Sequence, residues 1–176
     1  MDADWTARRQ ALLRRTRVLL VFFAVALIAS GLTAIPLEWE TGLLARWAGV
    51  AEGTRPEDYT GLAAWLARVH TGLVETYARY PFIAYGTDWL AFAHVILGIL
   101  FVGALRDPVR NLWVISFGMI ACILVIPLAL VMGPIRGIPL YWQLTDCGFG
   151  VVGIIPLWLC RRYAVESGVR AAAPGE

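Results

Sequence analysis

Four long runs of apolar residues constrain what this chain can fold into. The first run, Val18 to Ile35, holds 18 residues without a charge and ends at Pro36. A helix of that length is just long enough to cross the hydrocarbon core of a bilayer. Comparable runs follow, and we assign the four spans to residues 18–36, 88–105, 109–132 and 141–160. The sequence therefore predicts an all-α fold, an integral membrane four-helix bundle.

The overall composition supports a membrane protein. Hydrophobic residues make up 59% of the chain and charged residues 16%, and the mean hydropathy is +0.67. Soluble domains carry about 25% charged residues, and a small one cannot hide this much apolar surface. The net charge of +2 gives no indication of a nucleic-acid partner. The three cysteines form no C-x-x-C pair, which argues against a thiol–disulfide enzyme or a zinc ribbon.

The arginines predict the orientation of the chain in the membrane. All 15 basic residues are arginine, and basic residues are enriched in cytoplasmic segments. With a cytoplasmic N-terminus, the inner segments, which include residues 1–17 and the tail 161–176, contain ten arginines and the outer segments five. We therefore expect a multi-pass protein of the bacterial inner membrane, with both termini in the cytoplasm and residues 37–87 in the periplasm.

The segment 37–87 is the only large polar region between the spans. Within it, apolar residues recur at spacings of three and four, at Leu62, Trp65, Leu66, Val69, Leu73 and Tyr77. Arg68 and Glu75 lie off this stripe, so the pattern predicts an amphipathic helix of about four turns. A shorter helix is predicted from Trp39 to Val50, with a turn at Gly53–Pro56 between the two. We expect both helices to lie on the membrane surface.

Two ionisable residues lie inside the predicted spans at a similar depth. His94 is six residues inside Asp88 and Asp146 is five residues inside Tyr141, which places them about 9 Å and about 7 to 8 Å from the outer ends of their helices. Their helix faces also carry small residues, as packed membrane helices often do, namely Gly98, Gly150 and Gly153. We therefore predict that His94 and Asp146 meet near the outer end of the bundle.

This polar layer has two interpretations. Because an ionisable group inside a membrane is costly, His94 and Asp146 either satisfy each other and fix the packing, or line a pocket open to the periplasm. Pro127, at the same depth of the third span, would add a free carbonyl to such a pocket. Arg136 would pair with Asp88 or bind an anionic group. The candidate ligand-binding residues are then His94, Asp146, Gln143, Arg136, Asp88 and Trp142.

A haem or chlorophyll-type pigment is a further hypothesis for this layer. His94 is the candidate axial or metal ligand. His70, the only other histidine, would supply a second ligand only if the surface helix folded over the outer end of the bundle.

Two short motifs have structural interpretations. Gly148, Gly150 and Gly153 spell G-x-G-x-x-G, but the pattern lies in mid-span without a preceding strand, so we reject a dinucleotide site. We expect these glycines to let another helix approach closely. Asp107 and Pro108 are predicted to cap and begin the third helix.

Several short blocks between Tyr80 and Tyr163 carry a resemblance to a known family. They include Tyr85-Gly-Thr-Asp-Trp-Leu-Ala-Phe-Ala-His94, Arg106-Asp-Pro-Val-Arg-Asn111, Gly133-Pro-Ile-Arg-Gly-Ile-Pro139 and Asp146-Cys-Gly-Phe149. About half the chain thereby resembles a family of small bacterial four-span membrane proteins of unassigned function, which implies a fold and no activity. Through Asp107, Pro108, Trp113 and Pro127 the chain is more faintly similar to the EXPERA group of sterol isomerases and sigma-2 proteins, whose intramembrane acids have no clear match here.

The sequence contains no strong catalytic motif. The leading hypothesis is a non-enzymatic membrane protein, either an accessory subunit of a larger complex or a small-ligand binder that uses the outer pocket. The main alternative is a protein that binds haem, pigment or quinone, or an enzyme on a lipid-soluble substrate. A transporter is third, because four spans without a visible repeat make a narrow scaffold. Membrane lipid and other membrane protein subunits are the expected partners.

Overall fold

The fold is helical throughout the part of the chain that can be described. A computed structural model describes residues 3–51 and 53–172. Within these residues the chain forms six α-helices and no strand, which confirms the all-α prediction. The helices are α1 (Ala3–Leu32), α2 (Leu37–Trp47), α3 (Gly61–Arg79), α4 (Ala84–Arg106), α5 (Leu112–Ile135) and α6 (Leu140–Ala172). Short 3-10 turns at Pro56–Asp58 and Pro81–Ile83 precede α3 and α4.

Three helical segments are long and apolar enough to cross a membrane, namely Pro81–Arg106, Leu112–Ile135 and Leu140–Gly168. A fourth is obtained only if Asp4–Leu32 and Leu37–Trp47, which are bent by 93° relative to each other, are counted as one span. Among the described residues the protein thus has three to four candidate membrane spans, as expected for a multi-pass membrane protein. The arrangement as a four-helix bundle stays a prediction.

The chain divides into two compact units. The first unit combines Met1–Ala26 with Leu97–Glu176, and the second unit is Leu27–Ile96. The helices α5 and α6 lie wholly in the first unit, whereas α2 and α3 lie wholly in the second.

The core of the first unit depends on close helix packing. Leu20, Phe101, Ile115 and Leu157 are almost completely buried. Gly118 of α5 makes room for two of them, because a Cβ atom there would come within 2.9 Å of both Phe101 and Leu157. Since lipid tails are as apolar as these side chains, close packing stabilises this core more than removal from water does.

Polar contacts join the first turns of α1 to the last turns of α6. Arg8 forms an ion pair with Glu166 at 2.6 Å, and Arg9 Nε donates to the Ser167 carbonyl oxygen at 3.3 Å. Thr16 is fully buried and donates to the carbonyl of its own preceding turn. These partners explain why α6 continues well beyond residue 160, where the apolar run ends.

The turn between α4 and α5 corrects one prediction. Asp107 Oδ1 accepts a hydrogen bond from the Val109 backbone N–H at 3.1 Å, so it caps a turn. The helix α5 begins later, at Leu112. Asn111 separates this turn from α5, because its backbone, with φ of −104° and ψ of 31°, is not helical. Asp107 and the fully buried Pro108 therefore shape the turn, and the prediction that they begin the third helix was wrong.

The second unit is held together by α2 and α3. Thr41 and Ala45 of α2 and Leu66 and Ala67 of α3 are buried. On the other side of α3, Arg68 and Glu75 are exposed, as the apolar stripe predicts. Leu62, in the first turn of α3, departs from that stripe, because half of its surface is exposed.

Candidate functional site: a cavity in the second unit

A cavity of the second unit lies between α2 and α3 and reaches the turn that joins them. Its volume is about 670 Å³, within the range of about 300 to 1,000 Å³ that is usual for small-molecule sites. The lining residues come from α2, α3, the adjoining turns and the first residue of α4. They are Ile35, Pro36, Glu38, Trp39, Gly42, Ala45, Arg46, Val50, Ala51, Gly53, Thr54, Ala67, His70, Thr71, Tyr77 and Ala84.

The lining combines aromatic, charged and hydrogen-bonding groups. Trp39 and Tyr77 offer broad aromatic surfaces, whereas Glu38 and Arg46 carry charges of opposite sign. A cavity of this composition suits an amphipathic molecule, because one part of the ligand would lie on aromatic surface and another would be held by polar groups. Small residues at the α2–α3 contact, such as Ala45 and Ala67, let the two helices approach closely around it.

His70 is the one histidine of the lining, and its ring lies against α2. Its Nδ1 atom lies 3.4 Å from the Thr41 hydroxyl oxygen. Gly42 borders the ring, because a Cβ atom at this position would come within 2.8 Å of His70 Cε1 and 3.3 Å of each ring nitrogen. Thr41 and Gly42 are consecutive residues of α2, so this one helix fixes both the orientation and the location of the imidazole.

The Thr41 hydroxyl is itself tied to the backbone of α2. Its oxygen lies 2.8 Å from the Leu37 carbonyl oxygen and 3.0 Å from the Glu38 carbonyl oxygen. Thr41 is only 7% exposed, and the cavity lining includes His70 but not Thr41. His70 therefore presents Nδ1 to the helix and leaves Nε2 without a hydrogen-bond partner among the described residues of this unit.

His94, the centre of the predicted polar layer, also lies in the second unit. Its Nδ1 atom donates to the Leu90 carbonyl oxygen of the same helix at 2.8 Å. The base of the side chain packs on Gly31, where a Cβ atom would collide with His94 Cβ. One ring nitrogen is thus satisfied within α4, and the meeting of His94 with Asp146 stays a prediction.

Asp88 lies in an aromatic groove on α4. This groove has a volume of about 250 Å³ and is lined by Tyr85, Asp88, Trp89 and Phe92. Trp89 contacts Tyr85 and Phe92 edge to face, with ring centroids 6.0 Å and 5.6 Å apart. Among the described residues of its unit, Asp88 has no ion-pair partner. Its pairing with Arg136, an exposed residue of the first unit, stays a prediction.

Gln143 fastens the loop between α5 and α6. It is 5% exposed, and its Nε2 atom donates to the Ile138 carbonyl oxygen at 2.7 Å. Gly133 leaves space for it, because a Cβ atom there would come within 2.5 Å of the Gln143 side chain. These contacts give Gln143 a structural role in the first unit, and its contribution to a ligand site stays a prediction.

Two other candidates of the first unit, Trp142 and Asp146, flank Gln143 on α6. Asp146 and Trp142 are half-buried, and the described residues of the first unit offer Asp146 no ion-pair partner. Pro127 is exposed on α5, so a carbonyl freed by this proline would lie towards the surface of the helix.

Of the glycines expected at helix contacts, all but Gly148 lie at closely packed positions; a Cβ atom at Gly148 would meet no heavy atom within 4 Å, so the expected close contact there was wrong. Gly98 is buried. A Cβ atom at Gly150 would collide with the Cys122 carbonyl oxygen of α5, and one at Gly153 would lie 3.0 Å from the Cys122 sulfur. Both α6 glycines therefore bring α6 against the backbone or side chain of one residue of α5.

The metal and pigment hypotheses rest on single histidines. Within the described residues, no three His, Cys, Asp or Glu side chains form a group that would hold a metal ion. An axial ligand needs only one nitrogen, and Nε2 of His70 or of His94 suits that role, because Nδ1 is engaged in both residues. Haem or pigment binding stays a prediction.

The sequence indicates this cavity only in part. His70 is predicted as a possible second haem ligand, whereas the sequence analysis assigns no role to Thr41 or Gly42. A signal for the cavity was present in the sequence, because Thr41 and Gly42 are neighbours within the predicted short helix. A hydroxyl group next to a glycine offers both a hydrogen bond and space for a ring. What the sequence does not contain is the register of α2 against α3, which brings these residues opposite His70.

Comparison with known proteins identifies no relative of this chain. No family model, curated protein or solved structure matches the chain. The class of the protein is therefore defined by its helices, as a helical protein with three to four candidate membrane spans among residues 3–51 and 53–172.

Proposed function

We propose that this protein is a non-enzymatic membrane protein that binds a small amphipathic ligand in the cavity between α2 and α3. The observation that carries the proposal is the imidazole of His70, which lines a cavity of about 670 Å³ and is held by Thr41 and Gly42. This observation favours the ligand-binding role over the accessory-subunit role, because packing alone does not require an oriented polar group beside an open cavity.

The side of the membrane follows from the arginine distribution. The segment between α1 and α4 is the part of the chain expected in the periplasm of a bacterial cell. A ligand would then enter the cavity from the periplasm or from the outer surface of the inner membrane. Trp39, 64% exposed, would lie at the membrane–water interface, where tryptophan is enriched.

A pair of glycine variants tests the proposal. Leucine at Gly42 would occupy the space beside the His70 ring, whereas Gly72, also in a helix, has no heavy atom within 4 Å of an added Cβ. We expect Gly42→Leu to lower the amount of bound ligand at least tenfold and Gly72→Leu to leave it unchanged. The measurement is native mass spectrometry of protein purified in mild detergent, with extraction of the bound small molecules.

The same experiment distinguishes the competing roles. A small molecule retained equally by both variants would show that the α2–α3 cavity is not its site. Stable co-purification with other membrane subunits, together with no bound small molecule, would favour the accessory-subunit role instead.

A further inference from the structure

We infer that the ligand of the α2–α3 cavity is a hydrogen-bond donor, a ring-bearing alcohol of the phenol or hydroquinone class whose hydroxyl binds His70 Nε2. This inference rests on the proposed function, because it specifies the ligand of the same cavity. It follows from the position of one proton on the imidazole.

The Thr41 hydroxyl determines where that proton lies. A hydroxyl group has one hydrogen to donate, and a backbone carbonyl oxygen only accepts. The two carbonyl oxygens of α2 lie 2.8 Å and 3.0 Å from Thr41 Oγ1, whereas His70 Nδ1 lies 3.4 Å away. The shorter distances are the better hydrogen bonds, so the Thr41 hydrogen points at the backbone and its oxygen accepts from His70.

The neutral His70 ring therefore carries its hydrogen on Nδ1. A neutral imidazole has one N–H and one bare nitrogen, so Nε2 is a hydrogen-bond acceptor. A ligand whose only polar atoms are carbonyl oxygens cannot donate a hydrogen bond to Nε2, because a carbonyl oxygen is itself an acceptor. A ligand that offers a hydroxyl would complete the chain from ligand to His70 to Thr41 to the backbone of α2.

The rest of the lining indicates what carries the hydroxyl. Trp39 and Tyr77 offer aromatic surfaces, which pack well on a flat apolar ring. A hydroquinone and its quinone are a matched pair of probes, because they share one ring and one tail and differ in whether their oxygens donate or accept. The inference concerns binding only and involves no electron transfer by the protein.

The primary test compares decylubiquinol with decylubiquinone. Equilibrium dialysis against purified protein in detergent, without oxygen so that the quinol stays reduced, measures both affinities. We expect the wild-type protein to bind the quinol about tenfold or more tightly than the quinone, since the quinone would leave a polar atom of the site unpaired. Equal affinities, or tighter binding of the quinone, would overturn the inference.

Thr41 variants test the cause of this preference. Thr41→Val removes the oxygen that holds the hydrogen on Nδ1, so the ring becomes free to place it on Nε2 and to donate to a quinone. We expect this variant to bind both probes with similar affinity, whereas Thr41→Ser should keep the preference of the wild type. A preference that survives unchanged in a folded Thr41→Val protein contradicts the tautomer argument.

His70 variants identify the atom involved. Asparagine places an amide group near the position of Nδ1 and has nothing at Nε2, whereas glutamine reaches the position of Nε2. We expect His70→Asn to lose at least tenfold in quinol affinity and His70→Gln to retain part of it. Equal quinol affinity in His70→Asn and wild type would exclude Nε2 as the acceptor.

These outcomes separate the inference from the proposed function. If an endogenous small molecule is lost in Gly42→Leu but neither probe displaces it from the wild type, the cavity binds a ligand and the inferred class is wrong. If Gly42→Leu changes neither the endogenous ligand nor the binding of either probe, the proposed site itself fails.

Discussion

The three glycines of the G-x-G-x-x-G pattern in α6 should differ sharply in how they tolerate a methyl group. At Gly150 an added Cβ collides with the Cys122 carbonyl oxygen, a backbone atom that moves only if α5 moves. At Gly153 it meets the Cys122 sulfur at 3.0 Å, and at Gly148 it meets no heavy atom within 4 Å. An added methyl group therefore clashes at Gly150, fits tightly at Gly153 and has free space at Gly148.

These contacts set the expected magnitudes. Forcing an extra methyl group into a packed contact costs about 1–3 kcal/mol, and the backbone clash at Gly150 places Gly150→Ala at the upper end of that range. Gly148→Ala should be neutral or should stabilise by up to ~1 kcal/mol, since alanine is the better helix former. Gly153→Ala should lie between them, because the sulfur can shift by a few tenths of an ångström.

The assay is thermal unfolding of the three variants in one detergent. A loss of about 2 kcal/mol corresponds to roughly 4–8 °C for a chain of this size, so the order of melting temperatures is measurable. Gly150→Ala should melt lowest and Gly148→Ala highest. A Gly148→Ala variant that melts at or below Gly150→Ala would refute the described packing of α5 against α6.

Three further predictions concern the loop, the orientation and the polar layer. Gln143→Met should lower the free energy of unfolding by about 1–3 kcal/mol in the same assay, because the Ile138 carbonyl loses its hydrogen-bond donor. An unchanged melting temperature would show that Gln143 does not stabilise the loop. A reporter active only in the cytoplasm should be active at the C-terminus and silent when inserted at Gly53, and the reverse pattern would overturn the orientation. If His94 and Asp146 meet as the sequence predicts, breaking the pair costs about 3–5 kcal/mol, so His94→Leu and Asp146→Leu should each destabilise while the double variant recovers much of the loss; additive losses would show that these residues do not meet.

The helices could be predicted from the sequence because their signal is local. Apolar runs of spanning length indicate membrane helices whatever their neighbours are, and the runs that begin near residues 88, 109 and 141 correspond to α4, α5 and α6. Spacings of three and four likewise indicated α3 and its exposed Arg68 and Glu75. Each of these features depends on residues within a few turns of one another.

The helix ends and the cavity could not be predicted in the same way because they depend on partners distant in sequence. The last turns of α6 follow from contacts with α1, such as the ion pair of Arg8 with Glu166, which are 158 residues apart. The cavity likewise depends on Thr41 facing His70 across 29 residues. No periodicity within either helix contains that information.

The two histidines show why a residue type alone is a poor guide to the proposed binding site. In both, Nδ1 is engaged by α-helical groups and Nε2 remains for another partner. His94 attracted attention because an ionisable group inside a membrane is costly, yet its bond to the Leu90 carbonyl already lowers that cost within one helix. His70 lies outside the candidate membrane spans, and of the two histidines it is the one that lines the cavity between α2 and α3. A binding site requires open volume beside an oriented group, and that combination favours His70 over His94 as the residue that would contact the proposed ligand.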